Sequence, residues 1–159
     1  MKRLSFAAAY LACGIAAHAA PVDDMKRMLE ASQDAQAYQL GRANVDQLGE
    51  PLFDFFFGIA AINAGSPGEG VLALERYLLH FPDNHSARFH LARGYFTLGD
   101  DAQAKEAFEA LAKVAQGGEL YTINRFLDTI NSRQSSTRPS ASAWAELGAG
   151  RDNNINSGV

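Results

Sequence analysis

An internal repeat of 34 residues constrains this chain more than any other feature of its sequence. Residues 56–84 align with residues 90–118 at an offset of 34 positions, without a gap. A fixed period of this length is typical of proteins built from stacked helical pairs. Ala61 and Tyr95 differ in size, but the other pairs that define the alignment match small with small or apolar with apolar residues. They are Gly58 with Ala92, Gly65 with Gly99, Gly70 with Ala104, Leu74 with Phe108 and Tyr77 with Leu111.

The repeated positions can be interpreted as helix, turn, helix. Gly65 and Gly99 are expected at the turns, where a helix ends and a positive φ is useful. The other two small–small pairs allow neighbouring helices to approach closely. Pro82 follows the second helix of its pair and prevents its continuation. Asp83-Asn84, and Asp100 or Asp101, are then suited to cap the helices that follow.

This pattern resembles the tetratricopeptide repeat, a helix–turn–helix unit of 34 residues with Leu-Gly, Tyr, Ala, Phe, Ala and Pro at fixed offsets. Asp54 and Arg88 depart from it at the Trp position, and Gln116 stands where the second repeat would have proline. The resemblance implies an all-α fold, a tetratricopeptide-like superhelix of stacked helical pairs. The resembling residues are Phe57-Gly58, Leu91-Ala92, Tyr95, Ala104, Phe108 and Pro82.

Further helices are expected on both sides of the two full repeats. The tetrapeptide DAQA occurs at residues 34–37 and again at 101–104, which indicates an earlier, shorter helical pair. Apolar residues three or four apart between Leu120 and Ile130 predict a final helix that covers the last repeat. The predicted helices are residues 22–31, 34–47, 51–64, 68–80, 85–98, 101–115 and 119–133, within a domain spanning residues 20–133.

The N-terminus has the features of a secretory signal peptide. Lys2 and Arg3 precede an uncharged, mostly apolar stretch over residues 4–17, and Ala17-His18-Ala19 has the small residues that signal peptidase accepts. A transmembrane helix, the rival interpretation, would need about 20 apolar residues. We therefore expect residues 1–19 to be a signal peptide and the domain to be exported.

The single cysteine and the net charge exclude some classes of function. Cys13 is the only cysteine, and it lies in the predicted leader. A lipoprotein signal would need an apolar residue where Tyr10 stands, so cleavage after Ala19 is favoured over lipidation. The mature chain would then lack thiolates for zinc or nucleophilic chemistry. Loss of Lys2 and Arg3 leaves 12 of the 14 basic residues against 18 acidic ones, a net charge of −6. Such a charge does not support a nucleic-acid partner.

No catalytic, metal or cofactor pattern is visible. His80, His85 and His90 stand five residues apart, a spacing that does not share a helix face, and we interpret them as solvated or capping residues. The segment NAGSPGEG, residues 63–70, lies between helices and lacks the lysine of a phosphate-binding loop. The sequence therefore predicts a protein that is not an enzyme, needs no cofactor and functions through its surface.

The resemblance to the repeat family places the first helix of each pair along a concave groove. It assigns Leu52, Phe55, Ile59 and Ile62 to that groove in one repeat, and Ser86, Phe89, Arg93 and Phe96 in the next. Such a groove would be apolar, with Arg93 as a single charge able to hold a carboxylate. The alternative is that its phenylalanines belong to the core. The candidate protein-binding residues are Phe55, Ile59, Ile62, Phe89, Arg93 and Phe96.

A segment of a different kind follows a polar Ser/Thr/Pro linker over residues 134–141. Residues 143–150, AWAELGAG, alternate with a period of two, and residues 151–158, RDNNINSG, have turn chemistry. They predict one isolated β-strand segment over residues 142–159. A lone strand is unstable, so we expect partner strands that this sequence does not contain.

The linker and strand, preceded by RFLDTI at residues 125–130, resemble the surface lipoprotein assembly modifier family. In that family a periplasmic tetratricopeptide domain precedes an outer-membrane β-barrel. The resemblance covers about residues 29–159 and implies an N-terminal part of a longer protein at the periplasmic face of the outer membrane. The resembling strand residues are Leu147, Gly148, Gly150, Asp152, Asn153, Asn154 and Asn156.

This second resemblance implies transport rather than chemistry. The helical domain would bind a client lipoprotein or a periplasmic chaperone, while the barrel helps deliver lipoproteins to the cell surface. Two alternatives remain open: the periplasmic repeat domain of an exopolysaccharide-export porin, and a free periplasmic scaffold.

Overall fold

A computed structural model describes residues 19–137, and this part of the chain is all-α with packed neighbouring helices, as predicted. Within these residues, no helix has both the length and the hydropathy needed to cross a membrane. Residues 1–18 of the predicted signal peptide, and the predicted strand over 142–159, lie outside the described residues. The helices are α1 (Ala19–Glu30), α2 (Asp34–Arg42), α3 (Pro51–Asn63), α4 (Pro67–His80), α5 (His85–Leu98), α6 (Asp101–Ala112) and α7 (Gly117–Thr137), with a short 3₁₀ helix at Val45–Gln47.

Helix boundaries differ from the sequence prediction mainly at C-terminal ends. Helix α2 ends at Arg42 rather than residue 47, and Asn44 Nδ2 donates a hydrogen bond to the Leu40 carbonyl left free there (2.8 Å). Helix α6 likewise stops at Ala112 rather than residue 115. Helix α7 instead continues to Thr137, four residues into the predicted linker. The hydroxyl groups of its serines bond to helix carbonyls three or four residues earlier, so they do not compete with the helix.

The 34-residue period is visible in the positions of the helices. Helices α3 and α5 begin 34 residues apart, at Pro51 and His85, and so do α4 and α6, at Pro67 and Asp101. Each pair turns at a glycine with positive φ, 87° at Gly65 and 80° at Gly99. These glycines therefore have the role that the sequence predicted for them.

The two pairs begin their helices by different means. Proline occupies the first turn of α3 and of α4, where its missing N–H is no loss. Helix α5 is capped by Asn84, whose side chain accepts from the Ala87 N–H (2.9 Å). Helix α6 is capped by Asp100, which accepts from the Gln103 N–H (3.1 Å). The predicted capping roles of Asn84 and Asp100 are confirmed.

Helices α3 and α4 pack unusually closely because both carry glycine at the contact. A β-carbon added at Gly70 would lie 2.6 Å from the Gly58 carbonyl oxygen, and one added at Gly58 would lie 2.6 Å from Leu74 Cγ. The corresponding residues of the second pair, Ala92 and Ala104, are fully buried. Small residues thus permit the close approach that the sequence predicted.

The hydrophobic core of the described region consists of three clusters that follow one another along the chain. The first joins α1 and α2 to α3 and α4, the second joins α3 and α4 to α5, and the third joins α5, α6 and α7. Ile123 and Ile130 of α7 are fully buried in the third cluster, as a covering helix requires. Representative members are Met25, Phe53 and Phe57 in the first cluster, Ile62, Leu74 and Tyr77 in the second, and Phe108 and Leu111 in the third.

The Asp54 carboxylate is buried between α3 and α4, which form the first of the two full repeats. Asp54 is 1% exposed and stands where the repeat family has tryptophan. Arg76 of α4 meets it with two hydrogen bonds, Nε to Oδ2 at 2.9 Å and Nη2 to Oδ1 at 2.7 Å. The Gly49 N–H donates a third, at 3.2 Å. The Asp54 carboxylate also raises the pKa of Arg76, chiefly through these hydrogen bonds.

Candidate functional site

The predicted groove positions of α3 and α5 form what we call the α3–α5 surface, but they are not equally accessible. Leu52 is 60% exposed, whereas Phe55 and Ile59 are half-buried. The Phe55 ring lies against Tyr77 (centroids 5.0 Å apart) and edge-on to Phe56 (5.2 Å). At the α3 end, Leu52 therefore offers the most apolar area to a ligand, with Phe55 and Ile59 contributing less.

Ile62 lies in the core rather than in a groove, because it fills the junction of three helices. It is 5% exposed. A β-carbon on Gly70 of α4 would meet its Cγ1 at 2.6 Å, and one on Gly94 of α5 would meet its Cδ1 at 3.0 Å. The glycines leave room for this side chain, and no ligand can reach it in this packing.

Helix α7 covers the aromatic positions of α5. Phe126 of α7 lies edge-on to Phe96, with ring centroids 4.9 Å apart, and stacks on Phe108 at 4.7 Å. Phe89 meets Phe108 and Phe126 edge-on at 6.1 and 6.5 Å. The guanidinium of Arg133 lies 4.2 Å above the Phe96 ring. Phe89 and Phe96 thus serve mainly in packing α7 onto α5.

Arg93, by contrast, is held by polar groups from two helices. Its Nη2 donates to Asn63 Oδ1 of α3 at 3.0 Å, and its Nη1 donates to His90 Nδ1 at 3.1 Å. Asn63 Nδ2 in turn donates to Asp34 Oδ1 of α2 at 2.8 Å. We call these four residues the Arg93 network. It connects α2, α3 and α5 through a guanidinium whose direct partners are both uncharged.

Burial controls the protonation of this network. It lowers the pKa of His90 to about 4, with a smaller contribution from the Arg93 charge, so the imidazole is neutral near pH 7. Burial also lowers the pKa of Arg93, although the Asp34 carboxylate opposes that change. Among residues 19–137, no carboxylate lies within ion-pair distance of Arg93. A partly desolvated cation with neutral partners favours an incoming anion.

The other residues singled out in the sequence are dispersed. His80 is exposed at the end of α4, and His85 Nε2 pairs with Glu119 Oε1 of α7 at 2.8 Å. Within the described part of the chain, no three metal-ligating side chains are grouped closely enough to hold a metal ion. The feature that remains is the half-buried guanidinium of Arg93, which is suited to an anion.

The sequence patterns did not identify the partners of Arg93. Asp34 begins one helix and Asn63 ends another, so nothing in their spacing links them to residue 93. His90 was interpreted as a solvated or capping residue, whereas it is half-buried and accepts a hydrogen bond. Asn63, a polar residue at the end of a helix whose preceding eight residues are apolar or glycine, was the available signal.

Comparisons with known proteins identify no relative from which a role for this site could be inferred. No protein-family model, no curated protein and no solved structure matches this chain.

Proposed function

We propose that this chain is a periplasmic protein-binding domain with a tetratricopeptide-like superhelix. It belongs, on this proposal, to an outer-membrane protein that delivers lipoproteins to the cell surface. Support for the repeat comes from the 34-residue spacing of the helix starts and from burial at the family's small and aromatic positions, such as Gly58, Ala92, Ala104 and Phe108. The predicted signal peptide over residues 1–19 supports export, and the predicted strand over residues 142–159 supports a place at the outer membrane.

The Arg93 network is the observation that carries the binding function. A half-buried guanidinium with two neutral partners can accept a carboxylate without first breaking an ion pair. The exposed Leu52 and the half-buried Phe55 and Ile59 lie on α3, the helix that ends at Asn63. The ligand is then a protein segment with an acidic group beside apolar residues, supplied by a client lipoprotein or a chaperone. The domain acts by binding and performs no reaction.

A test of this proposal measures lipoprotein display on intact cells. The gene is deleted and then restored as wild type, as Arg93→Gln or as Arg125→Gln, and surface lipoproteins are quantified by their accessibility to added protease. We expect display to fall in the deletion strain and to return with wild type and with Arg125→Gln, since Arg125 is exposed on α7. Arg93→Gln should fail to restore it, because glutamine can hydrogen-bond Asn63 but carries no charge.

A folding control distinguishes loss of binding from loss of structure. The helicity and the urea midpoint of purified Arg93→Gln must match the wild type within error, so that loss of display reports binding and not misfolding. Unchanged display in the deletion strain would contradict the proposal. If exopolysaccharide export fell in that strain instead, the export-porin alternative would be favoured.

A further inference from the structure

A groove of about 520 Å³ lies between α4 and α6, with residues of α5 along its length. We call it the α4–α6 groove, and it shares none of the predicted binding residues of the α3–α5 surface. Its middle is apolar, and Val114 at its edge is 67% exposed. The apolar lining is formed by Leu78, Leu91, Ala107, Ala110, Leu111 and Val114.

The two ends of the groove differ in charge. His85, which pairs with Glu119, and Arg88 line one end, where Arg88 Nε donates to the Pro82 carbonyl at 2.6 Å. Gln103 and Glu106 line the other end, beside Tyr95. The Tyr95 hydroxyl donates to Glu75 of α4 at 2.6 Å, which adds a second carboxylate near that end. Arg88 therefore favours an anionic group at its end of the groove, whereas Glu75 and Glu106 favour a neutral or cationic group at the other.

The α3–α4 pair shows which side chains fill the equivalent position one repeat earlier. Residues 54 and 76 form the buried ion pair there, and their counterparts 34 positions later are Arg88 and Ala110. The second pair thus has a cation where the first has a carboxylate, and a methyl group where the first has the neutralising side chain. Both Arg88 and Ala110 line the groove. The space that Arg76 occupies in the first pair is open in the second.

Arg88 is only weakly neutralised within the described chain. Its nearest carboxylate oxygen, Asp83 Oδ1, is 3.4 Å from Nη2, and the Asp83 side chain is 97% exposed. An exposed pair at that distance contributes little. Its other hydrogen-bond partner is the neutral Pro82 carbonyl.

We propose that the α4–α6 groove binds a short acidic segment of a partner protein. Aliphatic residues of the segment lie against Leu78, Leu91 and Val114, and its carboxylate pairs with Arg88 above Ala110. This contact reproduces, with the charges exchanged, the pair that closes the first helical pair. Gln103 and Leu111 are eight residues apart on α6, which gives this part of the groove a length of about 12 Å, enough for about four extended residues.

The polar residues Gln103 and Glu106 at the end opposite Arg88 favour a peptide over a fatty acid. A fatty acid whose carboxylate met Arg88 would bring its alkyl tail against Gln103 and Glu106, where burial of a polar group is costly. A peptide can place a lysine, an amide or a backbone N–H there instead. The proposal does not depend on the function of the Arg93 network.

The test selects seven-residue peptides from a random phage-displayed library on the purified chain and measures their affinity by fluorescence anisotropy. We expect enriched peptides to combine aliphatic residues with Asp or Glu. Arg88→Asp should weaken their binding by about tenfold or more, because a charge-assisted contact is replaced by repulsion. Arg125→Asp, a matched change at an exposed residue of α7, should leave binding unchanged.

A double variant separates loss of the groove from loss of the fold. Arg88→Asp combined with Ala110→Arg recreates the Asp54–Arg76 arrangement and should close the groove, so binding is lost while helicity and the urea midpoint are retained. The proposal is overturned if no peptide is enriched, or if the enriched peptides bind Arg88→Asp as tightly as Arg125→Asp. Displacement of the peptides by laurate with the same dependence on Arg88 would also overturn it, in favour of a lipid.

Discussion

The α3–α4 pair and the α5–α6 pair occupy corresponding stretches of the sequence, yet different interactions hold them together. The first pair has glycine at its helix contact, proline at its helix starts and a buried ion pair across its side. The second has alanine at the contact, side-chain caps, and Arg88 facing Ala110 across an open groove. The period therefore determines where the helices lie, while individual side chains determine which surfaces are closed and which stay open.

The largest expected effect comes from exchanging glycine and alanine at the helix contacts of the two pairs. Gly70→Ala places a β-carbon 2.6 Å from a backbone oxygen of α3, which cannot move without shifting the helix. We expect a loss of about 3 kcal/mol in the free energy of unfolding, near the upper end for overpacking. The reverse change in the second pair, Ala104→Gly, should cost about 1 kcal/mol. Urea titrations followed by circular dichroism measure both, and equal losses would show that the two contacts are equivalent.

A second prediction concerns the ion pair. Asp54→Ala leaves Arg76 without its partner and removes an acceptor from the Gly49 N–H, so we expect a loss of about 2 kcal/mol. The side chain of Arg76 is 39% exposed, and water can therefore compensate in part. Arg88→Ala, at the corresponding position, should cost less than about 0.5 kcal/mol because that groove is open. If Arg88→Ala proved as costly as Asp54→Ala, Arg88 would have a structural role that the geometry does not show.

The third prediction is a pH dependence specific to the second pair. His90 corresponds to Phe56 of the α3–α4 pair and faces Arg93, with Asp34 beyond Asn63. Among the described residues, no carboxylate is bonded to its ring. Its pKa in the folded chain is about 4, against an ordinary value of 6.5. The unfolded chain therefore binds a proton over this range when the folded chain does not. The stability that neutral His90 contributes is present above pH 6.5 and is lost progressively as the pH falls toward 4, with a loss of about 2 kcal/mol at pH 5.

The measurement is the difference between stability–pH profiles, because carboxylates also titrate in this range. His90→Gln retains an acceptor for Arg93 but has no proton to gain, so its profile should be flatter between pH 6.5 and 4. His80→Gln, which changes an exposed histidine on α4, serves as the control. Parallel profiles for the wild type and His90→Gln would contradict the burial of a neutral imidazole.

The smallest effect distinguishes the two ways of starting a helix. Asp100→Ala removes the acceptor for the Gln103 N–H and should cost about 1 kcal/mol. Ser66 stands at the same position before α4 but makes no side-chain capping bond there, so Ser66→Ala should cost less than half as much. Thermal unfolding of the two variants compares them directly, and a larger loss for Ser66→Ala would reverse the assignment of the caps.

The sequence was sufficient for the helices because their signals are local. Glycine at residues 65 and 99 marks turns, Asn84 and Asp100 mark helix starts, and the small residues mark the helix contact. Each of these acts on its own turn or on the facing helix of its pair. The end of α2 was less predictable, since the Asn44 side chain bonds to the Leu40 carbonyl there. The continuation of α7 into the predicted linker was also not predicted.

The candidate site was less predictable because it depends on distances between elements. Phe126 reaches Phe96 from a different helix, and Asn63 lies 30 residues from Arg93. The same holds for the α4–α6 groove, where the consequence of Ala110 is apparent only beside the Asp54–Arg76 pair. A repeat predicts which positions correspond, and only the packed helices show which of those positions have lost their partner.

The order of the three hydrophobic clusters along the chain also bears on how the protein folds. Each cluster joins segments that are close in sequence, so only short loops must close before apolar burial begins. Helical proteins with such local contacts fold within microseconds to milliseconds. Within residues 19–137, the middle cluster has a neighbouring cluster on each side, whereas each outer cluster has one. Amide hydrogen exchange in the native state should therefore be slowest in α3, α4 and α5 and become faster toward α1 and α7.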